Sequence, residues 1–286
     1  MPGTVDSFNY GMVIPVMAYL AACLGAALGL RCVARTVHYE QGWKPGWLAL
    51  GAVSLGCGIW TMHFIAMAGF RVQEAGISYD VGLTVLSLAV AVAVVGMGVF
   101  IVGYRGTSPA TLGLAGTLTG LGVASMHYLG MSAMRLHGEI LFDTFIVTLS
   151  VVIAVMAATA ALWAVVTIRG FTASLGASLV MAAAVTGMHY TGMASVSVHL
   201  HSADQPALDG KPLTSLLFPM LVGPGVFFLI ATVTVMFDPI LMVGSPDWDQ
   251  PSTQRLGAPR PRISATTREE DLLVSTMYPE GDAGEA

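Results

Sequence analysis

The chain has 286 residues, of which 55% are apolar and 10% charged, with a mean hydropathy of +0.74. Soluble domains carry about 25% charged residues, so this composition excludes an ordinary soluble domain and points to a multi-pass membrane protein. The formal net charge of -5 gives no reason to expect nucleic-acid binding.

Seven stretches are long enough to cross an apolar core of about 30 Å as helices of roughly 20 residues. They are predicted near 10–32, 46–70, 81–103, 110–134, 145–168, 172–198 and 213–237. A short leader containing Asp6 and no basic residue precedes the first, which argues against a cleaved signal peptide. Lys44-Pro45-Gly46 punctuates the entry to the second, Arg105 through Pro109 the entry to the fourth, and Arg169-Gly170 the entry to the sixth. Gly116 and Gly120 in the fourth read as close-packing positions. The seventh carries Gly223-Pro224-Gly225, a kink signal, and is read as the helix that closes the bundle. The runs are continuous rather than alternating, so an all-α bundle is expected, not a barrel.

Basic residues set the orientation. With the N-terminus outside, nine lie on inner loops and tail (Arg31, Arg35, Lys44, Arg105, Arg169, Arg255, Arg260, Arg262, Arg268) against three outside (Arg71, Arg135, Lys211). Trp43, Trp47, Tyr104 and Trp163 read as anchors at the inner interface. The expected layout is a membrane domain over 1–243 and a polar, disordered cytoplasmic tail over 244–286, with a short amphipathic stretch around Glu269 to Tyr278. Cys23, Cys32 and Cys57 all fall in spans and read as small apolar packing residues.

One six-residue phrase occurs three times: Met62-His63-Phe64-Ile65-Ala66-Met67, Met126-His127-Tyr128-Leu129-Gly130-Met131 and Met188-His189-Tyr190-Thr191-Gly192-Met193. The histidines are 64 and 62 residues apart, the length of two membrane helices with their loops. Helices 1–2, 3–4 and 5–6 are therefore expected to be three copies of one hairpin, with the phrase on the second helix of each. Counting from the last inner charge puts each histidine about 28 to 33 Å from the inner surface, at one depth near the outer face.

On a helix, a histidine and the methionine four residues later lie on one face. His63 with Met67, His127 with Met131 and His189 with Met193 could then converge on one centre, with Met62, Met126 and Met188 beside them. Imidazole and thioether are a soft donor set that favours copper, Cu(I) above all, over cations that want oxygen. Packing is the competing reading of any one copy, whereas three copies at matched depth favour a site. His137, His199 and His201 add donors near the same face, and solvated side chains are the simpler reading for them; His38 lies on the inner side. No nucleophile and base or carboxylate pair occurs within the spans, so no enzymatic activity is expected.

Met188-His189-Tyr190-Thr191 resembles the signature of the MHYT domain family, and 8–243 looks like one such domain. The resemblance implies a seven-helix bacterial integral membrane protein of the cytoplasmic membrane, with copper held by the motif's Met and His residues. It further implies sensing of a diatomic gas such as O2, CO or NO, and signalling through a cytoplasmic partner, since members are often fused to GGDEF and EAL modules. The first copy has Phe64 and Ala66 where the others have Tyr and Gly, and the second has Leu129 for Thr, so the tyrosine is not a shared ligand. Two rival functions are a copper-transport protein and a haem-binding membrane protein.

Overall fold

The computed structural model describes residues 3–6, 10–38, 44–168, 170–200 and 210–238. The expected tail over 244–286, its amphipathic stretch, and Trp43, Arg169 and His201 lie outside the described residues.

Among the described residues there are seven long helices: α1 (Val13–His38), α2 (Lys44–Met67), α3 (Val81–Arg105), α4 (Pro109–Ser132), α5 (Thr144–Thr167), α6 (Phe171–Ala194) and α7 (Leu213–Met236). Six are long and apolar enough to cross a membrane. The exception is α4, whose glycines, threonines and serines dilute its hydropathy although it holds the second copy of the phrase. Large apolar side chains stand exposed along α3, α5 and α7, among them Val85, Phe145, Met156, Leu229 and Ile230. Such faces belong against lipid.

Two helix ends differ from the sequence expectation by more than three residues. Helix α1 runs to His38 rather than 32, because Arg35 turns its charge inward, 3.4 Å from Asp238 beyond the end of α7 and over the Trp47 ring. Helix α6 stops at Ala194 rather than 198, where the alternation of Val196 and Val198 begins a strand.

Six helices form a ring in chain order, α1 to α6, and α6 returns against α1. α7 lies outside that ring on α1 and α2, so the expected closing role of the seventh helix is taken by the α1 and α6 contact. Phe228, Ala231 and Val235 of α7 pack with Leu28 and Cys32 of α1 and Cys57 of α2. The three cysteines are free thiols and Cys32 and Cys57 are buried, as expected for packing residues.

Small residues set the helix spacing. A Cβ at Gly25 of α1 would meet the Gly58 backbone of α2 at 2.5 Å, and one at Gly58 would meet Gly25 at 2.7 Å. Gly56 of α2 rests on the Val92 backbone of α3, and Gly120 of α4 rests on the Val155 backbone of α5. Gly56 and Gly120 each stand seven residues before a motif histidine, so the same crossing recurs one helix pair further on.

The expectation of an all-α chain needs one amendment. Seven short strands cap the end of the bundle where α2, α4 and α6 finish: β1 (Val5–Asp6), β2 (Arg71–Val72), β3 (Ser78–Tyr79), β4 (Met134–Arg135), β5 (Gly138–Phe142), β6 (Val196–Leu200) and β7 (Lys211–Pro212). β1 pairs with β2, β3 pairs with both β4 and β7, and β5 pairs with β6, all antiparallel. Most are two residues long, too short for any alternation to register in the sequence. Helices α3 and α5 begin on aspartate caps, Asp80 to the Leu83 N–H and Asp143 to the Ile146 N–H, each 3.0 Å. The cap residues also dock on the neighbouring motif helix: Asp80 N–H donates to Ala133 O and Asp143 N–H to Ser195 O, at 2.8 and 2.9 Å.

Gly25→Leu is expected to lower thermal stability in detergent, by about 1–3 kcal/mol from overpacking at the α1 and α2 crossing. Gly113→Ala, which meets nothing within 4 Å, is expected to be neutral or stabilising by up to about 1 kcal/mol. Thermal unfolding of both variants checks the pair. Asp80 is held below the ordinary aspartate value, first by the Leu83 N–H and then by Arg135. Its contribution to stability is therefore present above the unfolded-state value and is lost as pH falls through the folded one. Asp80→Asn should flatten the acid limb of a stability against pH curve by removing that contribution near neutral pH, while leaving stability below the folded-state value almost unchanged.

Candidate metal centre

The phrase lies at the C-terminal end of α2, α4 and α6. α2 is buried on nearly all sides, and α2, α4 and α6 bring their C-terminal turns together under the strand cap. His63, His127 and His189 are each 1% exposed. Their rings meet edge to face, with all three centroid pairs 5.0 Å apart and interplanar angles of 80° to 90°. The Nδ1 atoms form a nearly equilateral triangle: 3.0 Å between His63 and His189, 3.1 Å between His127 and His63, and 3.2 Å between His189 and His127.

That triangle has the dimensions of a metal site. Nitrogens each about 2.0 Å from one tetrahedral ion are about 3.3 Å apart. It is poorly suited to hydrogen bonding alone, because a neutral imidazole offers one N–H and one lone pair and three such groups cannot all be satisfied within one small triangle. The donor chemistry and the spacing thus both fit an ion with nitrogen ligands.

The six motif methionines lie in the same core. Met62, Met67, Met126, Met131, Met188 and Met193 are all buried, none more than 3% exposed, and pack in one cluster with Val123, Tyr79 and Phe64. The tyrosines go elsewhere. Tyr128 shares a 2.7 Å hydrogen bond with Ser150 of α5, and its ring stands edge-on to His127 at 4.8 Å. Tyr190 and Phe64 take the equivalent edge-on places beside His189 and His63, at 5.1 and 4.8 Å. The aromatic position wedges the imidazole, which phenylalanine does as well as tyrosine. Trp60, three residues before His63, ties α2 to α3 through Nε1, donating to Ser87 Oγ at 3.0 Å and Thr84 O at 3.3 Å.

The other expected donors are not at the triangle. His199 sits exposed on β6 opposite Glu139, and His137 is half-buried in the turn between β4 and β5. Cys57 faces the α7 cluster. Sequence reasoning missed two contributors, the motif glycines and Tyr79. A Cβ at Gly130 or Gly192 would overlap the ring of His63 or His127. Tyr79 of β3 is buried against Phe64, the residue after His63, and burial pushes its hydroxyl pKa up, so it packs beside the site as a neutral group. The glycine in the phrase was a signal available in the sequence; the two-residue strand holding Tyr79 was not.

Comparison with known proteins fits these features. The MHYT family, described as a bacterial signalling protein N-terminal repeat, matches residues 56–115 and 120–178. Each matched repeat starts in a motif helix and runs through the helix that follows. The chain is 36% identical over 199 residues to the bifunctional diguanylate cyclase/cyclic di-GMP phosphodiesterase MucR of Pseudomonas aeruginosa, an alignment covering 68% of this chain and 29% of that protein. It is 37% identical over 198 residues to the cyclic di-GMP phosphodiesterase NbdA of the same organism, covering 67% and 25%. It is 27% identical over 199 residues to the signaling protein YkoW of Bacillus subtilis, covering 67% and 24%. The chain thus spans between a fifth and a third of the length of these relatives. No solved structure matches it. With the repeat matched twice, and its phrase carried by a third helix that completes the histidine triangle, the chain belongs to the MHYT family of bacterial membrane signalling proteins.

Proposed function

We propose that this chain is a membrane sensor that holds copper between α2, α4 and α6 and passes a change at that site to a cytoplasmic signalling partner. The observation that carries the reading is the triangle of three Nδ1 atoms at 3.0 to 3.2 Å in a bundle core nearly closed to water. His63, His127 and His189 are the nitrogen ligands, with Met67, Met131 and Met193 as thioether candidates and Met62, Met126 and Met188 packing beside them. The dense sulfur around the imidazoles favours copper over zinc.

The setting is a bacterial cytoplasmic membrane crossed seven times, including by α4, with the N-terminus and strand cap outside and the C-terminus inside. Three two-helix repeats supply the three motif helices. Copper held there would supply a centre able to bind O2, CO or NO. The chain's own part is mechanical: each ring is fixed to a different helix, so any change in the spacing of the three nitrogens displaces α2, α4 and α6 relative to one another. The relatives named for cyclic di-GMP synthesis or breakdown support a signalling output through such a partner.

Two rival functions draw less support. Transport needs donors along a path, yet the small cavity in the inner half of the bundle is lined by Leu30, Val33, Leu55, Val99 and Leu162, with Thr119 the polar lining residue. Haem needs room for a flat macrocycle between axial ligands, and nitrogens 3.2 Å apart or less leave none.

Purified full-length protein loaded with copper should retain the metal through desalting. His127→Ala or His189→Ala should weaken retention at least about tenfold, and His199→Ala should leave it unchanged. Elemental analysis with chelator competition reads the outcome, and an intact wild type that holds no copper after loading would overturn the proposal.

A further inference from the structure

Each motif imidazole has a second nitrogen. In His63 and His127 the Nδ1 atom joins the triangle, while Nε2 turns away from it onto the backbone of the next motif helix. His63 Nε2 is the closest atom to a Cβ placed on Gly130 of α4, and His127 Nε2 is the closest to one placed on Gly192 of α6. Each glycine stands three residues beyond the histidine of its own helix. Both Nε2 atoms are fully buried and have no hydrogen-bond partner among the described residues.

The two ends of the ring therefore have different neighbours. At the triangle, three nitrogens crowd together where three hydrogens would collide, so lone pairs around a cation are the arrangement that fits. At the glycine, a ring nitrogen rests against a bare Cα, and an ion placed there would have to occupy the volume of the helix backbone. An alanine at either position would push the ring along its own plane toward the other two, because the added methyl and Nε2 would compete for one place.

We propose that Gly130 and Gly192 are specificity-determining positioning residues: by seating the Nε2 ends of His63 and His127, they make Nδ1 the nitrogen of each ring that binds the metal. The inference rests on the metal reading of the triangle. It explains why glycine recurs within the phrase next to a ligand set that does not include it. The residue at the same register in α2 is Ala66, so the cycle of seats is not three-fold equivalent.

The test uses the full-length protein in detergent, loaded with Cu(I), with 15N in its histidine side chains. Nitrogen chemical shifts distinguish a metal-bound Nδ1 with a protonated Nε2 from the reverse. Nδ1 ligation is expected at His63 and His127 in the wild type. Gly130→Ala and Gly192→Ala should weaken Cu(I) affinity by about 10–100-fold in chelator competition and shift the signature of the displaced ring. Gly113→Ala, in the same helix as Gly130 but with nothing within 4 Å of the added methyl, should leave both readouts as in the wild type. Ligation through Nε2 of His63 or His127, or wild-type affinity in a folded Gly130→Ala protein, overturns the seats and leaves the metal reading standing. A wild type that takes up no Cu(I) overturns both. If the alanine variants do not fold, the wild-type nitrogen shifts decide the matter by themselves.

Discussion

Three imidazole rings share the space between α2, α4 and α6, and they reach one another only because the helices carry almost no side chain where the neighbouring ring lies. In an apolar core a polar group must find a partner or cost several kcal/mol, on the order of 2–7 by transfer measurements. Most hydroxyls here solve that problem locally, as when Ser54, Thr159, Ser178 and Thr191 donate to the carbonyl four residues back. Trp60 and Tyr128 solve it by reaching the next helix. The motif histidines instead meet at a point shared by three helices, and the rest of the architecture follows from bringing those helices so close. The motif helices alternate with the others around the ring and meet at their C-terminal turns, and Gly25, Gly56, Gly58 and Gly120 allow neighbouring helices to press together at backbone distance.

The same demand shapes the cap. Each motif helix ends within four residues of a strand, and the strands tie every connection at that end to another. The loop from α2 to α3 supplies β3, which bridges the loops that follow α4 and α6. Asp80 and Asp143 each do two jobs in this scheme. Their carboxylates start a helix, and their backbone N–H groups close the exposed carbonyl end of the adjacent motif helix. The helix start and the helix stop are thus coupled across the chain at the C-terminal turns of α4 and α6.

Much of this was legible in the sequence. The positions of the helices followed from hydropathy and from Pro, Gly and charge between spans, and the His63, His127 and His189 set followed from repetition at constant spacing. What escaped was of three physical kinds. Pairing across the cap depends on contacts between strands of two residues, which leave no periodic trace. The extension of α1 past Arg31 and Arg35 depends on Asp238, over 200 residues away, and charge read locally pointed to a helix end. The ring closure by α6 against α1 is a property of helix neighbours, not of any one helix, so α7 was given a role that its sequence could not exclude. Gly130 and Gly192 were visible in the phrase, but a glycine in a helix full of small residues reads as generic packing until the ring seated on it is seen.

The closed surroundings of the triangle carry a kinetic consequence. With each ring 1% exposed and a paired strand following every motif helix, the described residues shut the three nitrogens off from solvent. Entry and departure of anything that binds there would be timed by how often the cap or the helix ends part, as local opening times exchange of a buried amide. Occupancy could then outlast the conditions that produced it, and the domain would behave less as an instantaneous meter than as one with memory.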